Sequence, residues 1–275
     1  MENSPKIILP RGAHTQTIIL LHGRDSLAST FASELLESQA SDGRTLQEAF
    51  PTTRWVFPRS GLRESARFKV TMSQWFDMWS VENPDERPEL QCPDLGESAV
   101  VIMRLIRKEA KLISPEKIIL GGISQGCATA IYALLFGGMR LGGFIGLSSW
   151  LPCESHIAAT MIENEVQGVA QYSTFYNHEI IKALTGSTGP ASILSKFRAV
   201  RVLKTPVFLA HSVDDEMVPI TNGQKLCSAL EKLEMKVTWK QYEVGGHRVH
   251  KPQGVDDIIS FINSCCQVKS DRRSQ

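Results

Sequence analysis

A serine flanked by glycines, Gly121-Gly122-Ile123-Ser124-Gln125-Gly126, stands where an apolar run gives way to a helix-forming one. The preceding Lys117-Ile118-Ile119-Leu120 reads as a buried strand, and Cys127 through Leu135 reads as a helix. A strand turning straight into a helix at G-x-S-x-G holds its serine on a sharp, strained turn with the hydroxyl presented outward. Glycine suits the positions two before and two after, because a larger side chain there would collide with the adjoining strand and helix. Such a serine can attack a carbonyl carbon. It stays inert unless a base takes its proton and a carboxylate orients that base.

Both partners are available downstream, in the order Ser, Asp, His. The run Val207-Phe208-Leu209-Ala210-His211-Ser212-Val213 leads into Asp214-Asp215-Glu216-Met217-Val218-Pro219, an apolar strand entering an acidic loop. Asp215 is the expected acid and Asp214 its competitor; the alternative is that these acids only cap the helix after Pro219. The expected base is His247 in Val244-Gly245-Gly246-His247, where glycines let the backbone turn just past a strand. His250 is its competitor, and the remaining histidines precede the end of the acid loop. The tetrahedral intermediate also needs two backbone N–H donors. One is expected from Gln125, directly after the serine. The other is expected from Arg24 in the turn Leu20-Leu21-His22-Gly23-Arg24, with His22 shaping that turn.

These residues can meet only if an ordered scaffold carries them. Apolar strand-like runs alternate with amphipathic stretches, which argues for an α/β fold with a mostly parallel sheet covered by helices on both faces. Expected strands are 17–21, 54–57, 117–120, 143–147, 206–210 and 236–242; expected helices are 30–37, 95–112, 125–136, 223–233 and 253–266. In the helix at 95–112, Val100, Met103, Leu105, Ile106 and Leu112 form an apolar stripe opposite Arg104, Arg107, Lys108 and Lys111. In open sheets of this kind the active site lies beyond the carboxyl ends of the strands, which is where the candidate residues fall.

Composition narrows the functional classes. The 275 residues are 42% hydrophobic and 21% charged with a net charge of +1, so no global field recruits nucleic acid or acidic membranes. The polar start Met1-Glu2-Asn3-Ser4-Pro5-Lys6 lacks the pattern of a secretory signal, and the longest apolar window contains Arg140 and several glycines. The six cysteines show neither C-x-x-C pairs nor metal spacing and are expected as reduced, mostly buried thiols. A cytoplasmic protein without metal, cofactor or stable membrane insertion is the expectation.

The segments Leu20-Leu21-His22-Gly23, Trp75-Phe76-Asp77, Ile118 through Gly126, Leu147-Ser148-Ser149-Trp150-Leu151-Pro152 and His211 through Pro219 together resemble the acyl-protein thioesterase and carboxylesterase group, the phospholipase/carboxylesterase family of the α/β-hydrolases. The resemblance runs from about residue 15 to 265 in unbroken order. It implies a single α/β-hydrolase domain and a cofactor-free serine hydrolase acting on thioesters or esters of acyl groups. It also implies Ser124, Asp215 and His247 as the triad, and puts Trp75, Trp150 and Leu151 forward as substrate contacts. Two departures stand out. Family members usually continue His-Gly with Leu-Gly-Asp, whereas this chain has Arg24-Asp25-Ser26, placing a charge beside the oxyanion turn. The chain is also longer between Trp-Leu-Pro and the acid loop. A small-molecule ester is therefore the rival to an S-acylated protein as substrate, acyl transfer the rival to hydrolysis, and a non-catalytic binding protein the rival from outside the enzymes.

The extra length is read as a helical insertion at about 155–203, ahead of a flexible tail at about 267–275. Long excursions at a strand end are commonly functional. Ile157, Met161, Ile162, Val166, Phe175, Tyr176 and Ile180 would line a lid, the alternative being a packed decoration without substrate contact. Replacing the insertion by a short Gly/Ser linker is expected to change the acyl-length profile across an ester series while leaving the serine reactive to a small phosphonate. An unchanged profile in a folded variant would make the segment decoration.

Overall fold

The period-two alternation of the buried strands decides the architecture. In β2 (Gln16–Leu21), Ile18 and Leu20 point to one face while Ile19 and Leu21 point to the other. The same split recurs in β6 (Ile118–Ile123) and in β8 (Val207–Ser212), where Val207 and Leu209 part from Phe208 and Ala210. Strands apolar on both faces need helices on both faces. The computed structural model, which describes residues 4–152 and 201–267, has that arrangement.

A seven-stranded sheet runs in the order β1-β3-β2-β6-β7-β8-β9, with β1 (Lys6–Ile8), β3 (Thr53–Phe57), β7 (Gly143–Leu147) and β9 (Val237–Tyr242) completing it. Only β1 is antiparallel, on β3 at one edge. One face is covered by α3 (Cys92–Glu109), α4 (Gln125–Gly137) and α5 (Ile220–Lys232). The other is covered by α1 (Ala28–Leu36), the single turn α2 (Leu46–Ala49) and α6 (Gln253–Gln267). A separate hairpin of β4 (Gly61–Glu64) and β5 (Thr71–Gln74) leaves the sheet after β3.

The six expected strands and five expected helices among the described residues are present with shifts of a few residues at their ends. Among the described residues, β1, α2, the two strands of the hairpin and the short 3-10 turns Pro88–Leu90 and Pro115–Lys117 were not expected. The stripe expected on α3 needs correction. The helix ends at Glu109, so Leu112 falls beyond it and is 58% exposed, and Leu105 is only half-buried. Val100, Met103 and Ile106 of that stripe are buried as expected, and Leu95, Ala99 and Ile102 complete the buried row at helical spacing. The expected insertion, apart from its last few residues, and nearly all of the expected tail lie outside the described residues.

Glu109 continues that buried row and is 1% exposed. Its Oε2 accepts from Arg54 Nε on β3 at 3.0 Å, which ties the end of α3 to the sheet. Removing one member of such a pair leaves a buried charge without its partner. Glu109→Ala is therefore expected to cost about 2–4 kcal/mol in urea unfolding, and adding Arg54→Met is expected to recover much of that loss. Equal stability of Glu109→Ala and wild type would show that water already screens the pair.

Candidate active site

The strand–helix turn between β6 and α4 brings backbone against backbone. Ser124 has φ 55° and ψ −129°, a conformation that costs a side-chain-bearing residue energy and persists only when its surroundings impose it. The glycines supply the space. A Cβ on Gly122 would lie 2.6 Å from the Leu21 carbonyl oxygen, and one on Gly126 would collide with the His22 carbonyl oxygen. The turn is then pinned by its own amides: Ser124 N–H donates to Leu147 O at 2.9 Å, while Ser124 O accepts from Ala128 N at 3.0 Å and from Ser149 Oγ at 2.8 Å. Cys127, one helical turn further, does not compete as a nucleophile, because burial pushes its thiol up to about 12.

Beside the elbow lies the turn after β2. His22 Nδ1 donates to Gly23 O at 2.8 Å and His22 Nε2 accepts from Ser60 N–H at 3.2 Å, which fixes the tautomer. Burial lowers its pKa, against the bond to Gly23. Its own carbonyl accepts from Trp75 Nε1 at 2.8 Å. Gln125, the first residue of α4, has its side chain fully engaged: Oε1 accepts from Trp75 N at 2.9 Å and Nε2 donates to Phe76 O at 2.7 Å. Its backbone N–H belongs to the first turn of a helix, where donors have no intrahelical partner.

The Arg24 side chain turns toward the hairpin. Its Nε donates to Gln74 Oε1 at 2.9 Å, its Nη2 donates to Ser65 Oγ at 3.0 Å and lies 3.6 Å from Asp77 Oδ1, and its guanidinium stands over Phe68. Burial lowers its pKa, opposed by Asp77 and reinforced by Arg67. The charge that the sequence places beside the turn after β2 is thus held by Asp77 and the hairpin roots.

At the ends of β8 and β9 the two neighbouring aspartates have different tasks. Asp215 Oδ2 lies 2.8 Å from His247 Nδ1, and Asp215 Oδ1 accepts from the N–H groups of Met217 and Val218 at 3.0 and 2.9 Å. Burial works against its charge. The hydrogen bonds from His211, His247 and Val218 overcome that and hold the carboxyl well below the usual carboxylate range. Asp214 instead accepts from Gly245 N and Gly246 N at 3.1 and 2.8 Å, clamping the turn that delivers His247. His250 stacks on Tyr242, with ring centroids 4.1 Å apart, and its Nδ1 accepts from Gly254 N.

Ser124, His247, Gly23 and Arg24 share the wall of one cavity of about 1130 Å³. Trp75, Trp150 and Leu151 do not line it; they are 1%, 2% and 3% exposed and belong to the core on the α3 and α4 side. The apolar wall comes instead from Phe31, Phe68, Met72, Val81 and Met217. Two of these, Phe68 and Met72, lie in the hairpin that sequence patterning missed. The clamping role of Asp214 was missed too, although an acidic pair facing a Gly-Gly turn is a readable signal for it.

The sheet order and the strand–elbow–helix unit define an α/β-hydrolase. The chain matches the phospholipase/carboxylesterase family over residues 2–167 and 167–266, and it belongs to that family. It is 25% identical to the acyl-protein thioesterase 1 of Emericella nidulans over 96% of this chain and 95% of that protein. It is 30% identical to the acyl-protein thioesterase 1 of Schizosaccharomyces pombe over 61% of this chain and 71% of that protein. Among solved structures, Zea mays acyl-protein thioesterase 2 superposes with a TM-score of 0.65 at 23% identity, covering 96% of this chain and 99% of that one. Arabidopsis thaliana SOBER1 gives 0.64 at 21% identity, covering 92% and 99%. Both speak to the fold.

The close approach at the elbow makes a stability test. Gly126→Ala forces a methyl group onto the His22 carbonyl and is expected to cost about 3 kcal/mol or more, lowering the melting temperature by about 6–12 °C. Gly23→Ala is expected to melt close to wild type, because a Cβ there meets the Ser124 Cβ at an ordinary 3.4 Å. Thermal unfolding of both variants checks the contrast.

Proposed function

We propose that this protein hydrolyses carboxylic thioesters or esters of acyl groups, with Ser124 as nucleophile, His247 as general base and Asp215 as the acid that orients it. The observation that carries this reading is the 2.8 Å contact between His247 Nδ1 and Asp215 Oδ2, together with His247 and Ser124 facing one cavity. An ionised Asp215 only accepts, so Nδ1 carries the hydrogen and Nε2 keeps its lone pair for the serine proton. Ser124 Oγ then attacks the acyl carbon, and the N–H groups of Gln125 and Arg24 receive the negative charge on the carbonyl oxygen. Collapse expels the thiol or alcohol, protonated by His247. Water activated by the same imidazole releases the acid from the acyl-enzyme.

The wall of Phe31, Phe68, Met72, Val81 and Met217 suits an acyl chain, each square ångström of apolar ligand surface it covers contributing about 25 cal/mol. The relatives' names make an S-acylated protein the first substrate to test, in the cytoplasm and without nucleic acid. Among the described residues no helix is long and apolar enough to cross a membrane. A small-molecule ester is the second reading, favoured by the charged groups Arg67, Glu82 and Arg248 on the same cavity wall. Thioester and oxyester series of graded acyl length, on peptide and small-molecule carriers, separate the two.

A fluorophosphonate is expected to label Ser124, and Ser124→Ala to abolish labelling. Ser124→Ala, His247→Ala and Asp215→Asn are each expected to lower kcat by roughly 10⁴-fold or more. Asp214→Asn should act more mildly, because one amide oxygen can still hold the glycine turn, and His250→Ala should leave turnover intact. Full activity of Ser124→Ala, or a larger loss in Asp214→Asn than in Asp215→Asn, would overturn these assignments.

A further inference from the structure

The acid loop carries a second imidazole that the mechanism above leaves unused. His211, near the end of β8, is 2% exposed. Its Nε2 lies 2.9 Å from Val218 O and 3.2 Å from Asp215 Oδ2. A carbonyl oxygen and an ionised carboxylate both accept only, so this nitrogen carries a hydrogen and shares it between them. Nδ1 has no hydrogen-bond partner among the described residues. Asp215 therefore has four donors: His247 and His211 on Oδ2, Met217 N and Val218 N on Oδ1. Val218 closes the ring, holding Oδ1 through its N–H and His211 through its carbonyl.

The site is built around this side chain. A Cβ on Gly223 of α5 would collide with His211 Nδ1, so the missing side chain there is the room the imidazole occupies. Trp239 of β9 faces the ring with centroids 6.5 Å apart. Neither Gly223 nor Trp239 titrates, so the charged or titratable group in contact with His211 is Asp215, with His247 beyond it.

We propose that His211 is a positioning residue for the acid: its Nε2–H fixes Asp215 Oδ2 as a second donor and divides the carboxylate's charge between two imidazoles. The inference rests on the Ser124–His247–Asp215 reading. Without this donor a buried lone pair on Oδ2 is left unmatched and the carboxylate is less firmly oriented, which slows turnover. The undivided charge also favours the protonated form of His247, which moves the acid limb of the rate profile to higher pH.

The test uses the full chain and p-nitrophenyl butyrate. His211→Phe is expected to lower kcat about 10-fold at unchanged KM, the kinetic equivalent of one lost hydrogen bond to a charged group, and to shift the acid limb of kcat/KM upward. His211→Gln, whose amide nitrogen has a similar reach, should recover most of both. In an Asp215→Asn background, His211→Phe should produce no further loss, whereas a merely structural role would repeat the full loss there. An unchanged pH profile in His211→Phe, or the same fold loss in both backgrounds, overturns the proposal. A measurement independent of how the His211 variants fold is the His211 Nε2–H proton resonance in the ¹⁵N-histidine-labelled protein. It should move upfield on Asp215→Asn, and an unmoved signal overturns the proposal equally. Retained activity in His247→Ala would instead sink the parent assignment, and this inference with it.

Discussion

The elbow of β6 and α4 presses against the end of β2 with no side chain between them. Gly122 lies against the Leu21 carbonyl and Gly126 against the His22 carbonyl, so two backbone segments carrying different functional groups share one van der Waals surface. One segment holds the Ser124 hydroxyl and the Gln125 amide; the other holds the turn from His22 to Arg24. Because the contact is backbone on backbone, no rotamer change can loosen it, and interiors at this density yield little. The strained φ of Ser124 is one outcome of that constraint. The segment around Trp75 is another, since it hydrogen-bonds to both halves and so ties them together from outside.

The second half of the site is organised by charge. Two adjacent carboxylates would repel if aimed at one target, and here they diverge. Asp214 faces peptide N–H groups of the turn that presents His247, and Asp215 faces its imidazole. Asp215 is buried yet charged, a combination that survives only because every lone-pair direction of the carboxylate meets a donor. The cation placed by Arg24 follows the same logic, its charge met by Asp77 and its fork by Gln74 and Ser65.

Apolar continuity made the central sheet legible. Strands such as β2 and β8 are buried on both faces, so the runs QTIILL and VFLAHS stand out against polar surroundings. The hairpin was invisible because GLRE is mostly exposed, TMSQ mixes exposed, half-buried and buried residues, and neither alternates nor clusters; their pairing is set by register, not by composition. The turn α2 has a readable capping box in Thr45 and Glu48, but four residues carry no period. The candidate site residues could be picked out because each stands just past a strand. The cavity wall was not. Trp75 and Trp150 are large and apolar in the sequence, which marks them equally well as core, whereas Phe68 and Met72 reach the cavity through the hairpin's position in space. The contact of His211 with Asp215 likewise depends on how one loop closes on itself through Val218.

The two halves of the site stand on parts of the sheet with unequal support. Ser124 follows β6, which has strands on both sides and apolar residues buried under both helical layers. His247 follows β9, which among the described residues is an edge strand with one neighbour and mostly half-buried or exposed residues. Local opening starts where fewest contacts oppose it, and edge elements open before central ones. A fluctuation that frees the β9 margin displaces His247 while the scaffold around Ser124 stays intact. The meeting of His247 with the elbow and the folded state are therefore separable in this architecture, and mild denaturant would pass through a species that is compact and still carries its elbow but has lost that meeting.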